Sequence, residues 1–172
     1  MIRISLALAL IATPTVPAFA QKIDPAINQR ISAVTYARMA GSSDTYEKES
    51  SPTVLANATN PDVRRFAEMM IADHTTTTAA LMNGIKDATI SAAPRLMNKH
   101  TQMMKKLRNA PEAKRQTVYM DQQIMAHEEA VALHRMYAMH GDQPTLRAAA
   151  QAAVPIVETH LAEARRIRGM LR

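Results

Sequence analysis

The chain is predicted to be all-α: an up-and-down four-helix bundle with a short accessory helix between the second and third long helices. Three observations predict this. Apolar residues recur at steps of three and four over long stretches. Only four glycines interrupt 172 residues rich in helix-forming side chains. No alternating β-branched run or hairpin dipeptide marks a strand.

The first twenty residues read as an export signal and are set aside before the bundle is traced. Met1-Ile2-Arg3 is a short positive region, Ile4 to Ala12 is an apolar run too short to span a bilayer, and Ala18-Phe19-Ala20 fits a small-x-small cleavage rule. Cleavage is expected before Gln21, leaving one domain over 21–172 with a core from about 29 to 170. There are no cysteines, which excludes a lipid-anchored terminus, a disulfide framework and a thiolate metal site. No later stretch approaches the roughly 18 continuous apolar residues of a membrane helix. The expected product is an exported, periplasmic protein with no transmembrane segment.

Gln21 to Asn28 reads as a loose entry, and the first helix is expected from near Gln29. Ile31, Val34, Ala37 or Arg38, and Tyr46 recur loosely along it, Gly41-Ser42-Ser43 weakens its middle, and Pro52 is expected to break or kink it. Asn60-Pro61 starts the second helix, since Asn caps free amides and Pro at the first helical position sacrifices no bond. One face then carries Val63, Phe66, Met70, His74, Thr77, Leu81 and Ile85. Thr75 to Thr78 is a β-branched run that packing must override. The accessory helix is placed in Ala92 to Asn109, with Leu96, Met103 and Leu107 inward. Pro111 opens the third long helix, whose Tyr119 or Val118, Gln123, His127, Ala130 or Val131, His134 and Ala138 trace one side up to Gly141. Gln143-Pro144 opens the last, where Ala149, Ala153, Ile156, His160, Ala164 and Ile167 share a face and Pro155 predicts a kink.

Charge narrows the partners. Taking Arg3 from the 21 basic residues leaves 20 against 15 acidic ones, a net charge of +5. Export argues against nucleic acid and leaves an anionic envelope surface or another protein. Arg165, Arg166, Arg168 and Arg172 hold much of the excess, reading as a solvated face that complements a helix dipole. The oligomeric state stays open.

His74, His127 and His160 each fall on the apolar stripe of a different long helix, where a polar ring needs a partner. Two readings follow. In the first, the rings form a buried neutral network bonded to Tyr46, Glu47, Gln123 or a carbonyl freed by Pro155, and the protein is a binding or structural component of the envelope. In the second, they converge with Glu47 on one transition-metal ion, a set that suits Zn(II), Cu(II) or Fe(II). Asp73 and Gln123 would then orient the ligands: Asp73 points about 100° away from His74, and Gln123 lies one turn before His127.

Several segments together resemble the bacterial domain-of-unknown-function 4142 family over Tyr36 to Ile167. They are Tyr46-Glu47-Lys48-Glu49-Ser50-Ser51, Asn60-Pro61-Asp62-Val63 with Phe66-Ala67 and Asp73-His74-Thr75, Tyr119 with Gln123 and His127, and Pro155 with His160-Leu161. The resemblance implies an exported bundle similar to the ferritin-like fold with a shared histidine-containing centre. It implies no activity. Ferritin-like di-iron sites place Glu-x-x-His on two helices. This chain has none on the His74 or His160 helix, and Glu158 lies only two residues before His160. Di-iron oxidase chemistry is therefore the weaker metal reading.

Thirteen methionines raise a copper reading, because thioethers with imidazole favour Cu(I). Met97, His100 and Met104 share a helix face, and Met136, Met139 and His140 cluster at a helix end. With two Phe and no Trp, methionine also serves as gap filler in the core. His100, His134 and His140 are read as surface or groove residues. No glycine elbow frames a serine nucleophile and no glycine-rich loop cradles phosphate, so catalysis is not the expected role.

Overall fold

A computed structural model describes residues 31–171; the expected export signal, the expected entry segment and Arg172 lie outside the described residues. Five helices follow one another: α1 (Ala33–Leu55), α2 (Pro61–Asp87), α3 (Asn98–Asn109), α4 (Glu112–His140) and α5 (Pro144–Met170). The four long ones form a square in which α1 touches α2 and α4, and α5 touches the same two; α3 packs outside, on α1 and α4. Direction alternates along all five. Because α3 and the non-helical segment before it carry the chain back along the bundle, α2 and α4 run the same way on one diagonal.

Local chemistry sets the ends. Ser32 caps α1, its side chain accepting from the Thr35 amide. Asn60 caps α2 by accepting from the amides of Asp62 and Val63, with Pro61 at the first helical position. Pro144 does the same for α5, and Gly141 ends α4. At the end of α2 the Ile90 amide bonds the Ile85 carbonyl and the Thr89 amide bonds that of Lys86, a Schellman pattern with Thr89 at φ 54°.

Three sequence expectations change. α1 runs unbroken through Gly41 and Pro52, and its buried face is Ala33, Tyr36, Ala37 and Ala40, whereas Val34 is exposed. The small Gly41 lets Pro94 approach: a Cβ there would stand 3.1 Å from the Pro94 Cα. The accessory helix is shorter than expected, since 90–97 is not helical, and Leu96 is only half-buried. α5 is continuous through Pro155 and buries Ala150 and Val157 in place of Ala149 and Ile156, which are half-buried. Pro155 is exposed, so its ring stays out of the core.

The interior has three zones. One apolar pole gathers Tyr36, Leu81, Ile85, Leu133, Tyr137 and Leu146. The other gathers Val54, Val63, Phe66, Met70, Tyr119, Met120 and Ile167. At the first pole α2 and α5 approach so closely that a Cβ on Gly84 would meet Leu146 Cδ2 at 2.7 Å. Between the poles, at mid-height, lies a polar belt.

Candidate metal centre

The belt begins on α1, where steps of three and four put Asp44, Glu47, Ser50 and Ser51 on its inner face, all buried. Facing them, α2 supplies His74, α4 supplies His127 and α5 supplies His160, each 1–2% exposed. The three imidazole centroids form a near-equilateral triangle with sides of 5.6, 5.4 and 5.3 Å. One ring nitrogen from each lies within 4.8 Å of the other two.

Each ring is held at its outward nitrogen. His74 Nδ1 donates to Asp44 Oδ1 at 2.8 Å, and Thr77 Oγ1 donates to the same oxygen at 3.1 Å. His127 Nδ1 donates to the Gln123 carbonyl at 2.9 Å. His160 Nε2 donates to Asp73 Oδ2 at 2.8 Å. Carbonyls and carboxylates only accept, so these bonds place the proton on the outward nitrogen and leave a lone pair inward. The inward atoms, His74 Nε2, His127 Nε2 and His160 Nδ1, are all buried without a hydrogen-bond partner. Glu47 Oε1 is in the same state, while Glu47 Oε2 accepts from Gln123 Nε2 at 2.6 Å. Three imidazole lone pairs without a donor converge in the buried interior, with Glu47 Oε1 and Gln123 Oε1 also unpaired, an arrangement that costs free energy until a cation or a hydrogen-bond donor sits among them.

Titration follows from the crowding. Burial, with the neighbouring His74 and His160, lowers His127 to about 3. Burial also lowers His160, against the pull of its Asp73 bond. For His74 burial works the same way but is outweighed by the Asp44 bond and the Glu47 and Asp44 charges, so its pKa rises. Burial raises Glu47 to about 7, against the pull of His74 and of its Gln123 bond. Charging all three rings together would bring like charges within 6 Å of each other, so they do not charge as a set, and His127 and His160 keep their lone pairs available at neutral pH.

His74, His127 and His160 therefore come together as the sequence implied. Glu47 lies beside them, fully buried, but no oxygen of it belongs to the 4.8 Å group. Asp73 turns away from its neighbour His74 and reaches across the α2–α5 seam to His160; its side chain is 42% exposed, making it the solvent edge of the centre. Gln123 acts twice, through its carbonyl on His127 and its amide on Glu47. Tyr46 does not serve the imidazoles: its hydroxyl donates to Gln122 Oε1 at 2.9 Å. The carbonyl that holds a ring is that of Gln123, and Pro155 O accepts instead from Thr159. Sequence reasoning missed Asp44. The signal available was its place one turn before Glu47 on the same helix face.

The remaining histidines divide. His140 is exposed and His100, though buried, lines a groove, in line with the surface-or-groove reading, whereas His134 is buried, correcting it: His100 Nδ1 bonds Ser42 Oγ at 2.6 Å and His134 Nδ1 bonds the Tyr36 hydroxyl at 3.0 Å. Met97, His100 and Met104 do not share a site, because Met104 is buried against Tyr46 while Met97 is 42% exposed. Met139 is 69% exposed and Met136 half-buried. Of the C-terminal cations, Arg165, Arg166 and Arg168 pair with Glu128, Glu163 and Asp121 at the surface, and Arg172 lies outside the described residues. No helix among the described residues is long and apolar enough to cross a membrane.

No curated protein and no solved structure matches the chain. A family model, that of a domain of unknown function (DUF4142), matches residues 16–167. The histidine-centred helical bundle described above accordingly belongs to the DUF4142 family.

Proposed function

We propose that the protein is an exported metal-binding bundle that holds one transition-metal ion on His74, His127 and His160, with Glu47 Oε1 as the fourth donor. The observation that carries this reading is the convergence of three buried, partnerless imidazole nitrogens from three helices, with the buried, partnerless Glu47 Oε1 on the fourth. A satisfied internal network would pair both nitrogens of each ring, and here only the outward ones are paired. Two of the outward partners are carboxylates, the arrangement that fixes the tautomer and strengthens a metal-bound imidazole. Ligand nitrogens around a tetrahedral ion with bonds of about 2.0–2.1 Å stand about 3.3 Å apart, so modest closure of the rings suffices.

Asp44 and Asp73 are engaged on imidazoles, which leaves Glu47 as the free carboxylate and supports one ion rather than a carboxylate-bridged pair. Imidazole with carboxylate suits Zn(II), Fe(II) or Cu(II). All four donors are at most 2% exposed, the character of a closed structural or storage site rather than of one that turns over substrate. Export rests on the N-terminal signal pattern.

The test is elemental analysis of the mature protein purified from a periplasmic fraction without chelator or nickel resin, beside a His127→Gln variant. One equivalent of a transition metal is expected, lost in the variant. Metal at trace level overturns the reading and leaves a structural bundle whose centre holds water. Two iron atoms per chain would replace it with the di-iron alternative.

A further inference from the structure

A second cluster of metal-seeking side chains lies outside the polar belt, where α3 begins against α1. Met39 from α1, Met97 at the cap of α3 and His100 one turn into α3 line one cavity of about 100 Å³, floored by Ala130 and Leu133 of α4. Its lining is largely apolar. The rim charges, Lys99 and Glu129, neutralise each other in an ion pair.

The imidazole is held by one hydrogen bond and one stacking contact. His100 is 8% exposed, its Nδ1 is 2.6 Å from Ser42 Oγ, and Ser42 Oγ also accepts from the Met97 amide at 2.8 Å. The same serine thus orients the ring and pins the cap residue whose thioether shares the cavity. Tyr46 stacks on the ring with centroids 5.3 Å apart and planes 21° apart. Pro94 against Gly41 holds the incoming segment to α1. Nδ1 is the tethered nitrogen, which leaves Nε2 as the free end. Burial, with Lys99 close by, also lowers the ring's pKa, so it stays neutral.

The two thioethers are the unusual part. Met39 and Met97 are 37% and 42% exposed, flanking a ring that is buried. Flexible thioethers at the mouth of a cavity with an anchored imidazole inside it, and no free carboxylate, form a donor set that is soft and uncharged. Such a set selects a soft monovalent cation and is poor for Zn(II), Fe(II) or Mn(II), which the carboxylate-rich belt suits better.

We infer that Met39, Met97 and His100 form a second metal site, specific for Cu(I) and independent of the central histidines. Sulfur, sulfur and nitrogen give the low coordination that Cu(I) accepts. The site opens to solvent, so the ion loads and leaves by exchange rather than by unfolding.

The experiment is an anaerobic titration of the full mature chain with Cu(I) under ascorbate, using bicinchoninate as competing chromophore, with and without one prior equivalent of Zn(II). Wild type and Met39→Leu/Met97→Leu are compared. Leucine keeps the volume at half-exposed positions, so the fold persists, and the three central histidines are untouched. One Cu(I) per chain is expected in the zinc-treated wild type, with sulfur neighbours in its X-ray absorption spectrum. Losing a hydrogen-bond partner of a ligand costs about 10–100-fold in affinity, and losing ligands costs at least as much, so the double variant should bind at least about tenfold more weakly. Failure of the wild type to compete with bicinchoninate overturns the assignment. So does unchanged affinity in the double variant, which would place the copper on nitrogen donors elsewhere.

Discussion

At the scale of single residues, the centre is governed by which ring nitrogen is tied outward. Asp44 ties His74 from the buried side, 7% exposed, and Asp73 ties His160 from the rim. Asp44→Asn keeps an acceptor for the imidazole N–H and removes the charge that makes the ring a stronger donor. Metal affinity, read by competition with a chromophoric chelator, should fall about 10–100-fold. Asp73→Asn should cost less, because water screens a carboxylate that is 42% exposed. Equal affinities for Asp44→Asn and wild type would show that the carboxylate does not tune the ligand. The three histidines were legible in the sequence because each interrupts an apolar stripe of known period. Asp44 was not, since its partner lies 30 residues away and α1 carries no clean stripe against which an acid would stand out.

At the scale of helices, the same contrast separates what could be read from what could not. The caps Asn60-Pro61, Gly141 and Gln143-Pro144 were legible because their chemistry is local. α1 was obscure because it buries Ser42, Asp44, Glu47, Ser50 and Ser51, so its inward face is as polar as its outward one. The face of α5 was misplaced by one residue at Ala150 and Val157. In an alanine-rich helix, steps of three and four from His160 meet small apolar residues on either track. Thr89 shows an element end under local strain: its φ of 54° is a left-handed conformation that a β-branched residue resists and glycine adopts freely. Thr89→Gly should stabilise the fold by about 0.5–1 kcal/mol, the relief being partly offset by the freer unfolded chain. For a domain of this size that is a rise of roughly 1–4 °C in Tm. A fall in Tm would mean that the threonine side chain contributes more than its backbone costs.

At the scale of the molecule, two apolar poles hold a belt whose inward imidazole nitrogens have no protein partner, so stability should depend on pH and on metal together. Burial lowers His127 to about 3 and His134 to about 4, from 6.5, and lowers His100 and His160 as well. A lowered group contributes stability that is present above its unfolded value and is lost as pH falls toward its folded one, here between about 6.5 and 4. Glu47, raised from 4.5 to about 7, acts oppositely: its contribution is present below 4.5 and lost as pH rises through 7. His74, raised from 6.5, also favours the acid side. Four lowered imidazoles oppose two raised groups, so the metal-free protein should lose Tm steadily from pH 6.5 to 4.5. Bound metal removes the unpaired acceptors and holds four helices at one point. With free metal at a thousand times Kd, it should add about 4 kcal/mol, or on the order of 10 °C, at pH 7.5. That increment should shrink in acid as protons compete for the same lone pairs. Paired thermal melts from pH 8 to 4.5, with and without Zn(II), measure both effects. A metal-free midpoint that does not move with pH would contradict the burial of neutral rings, and a zinc increment that does not shrink in acid would place the ion somewhere other than on these imidazoles.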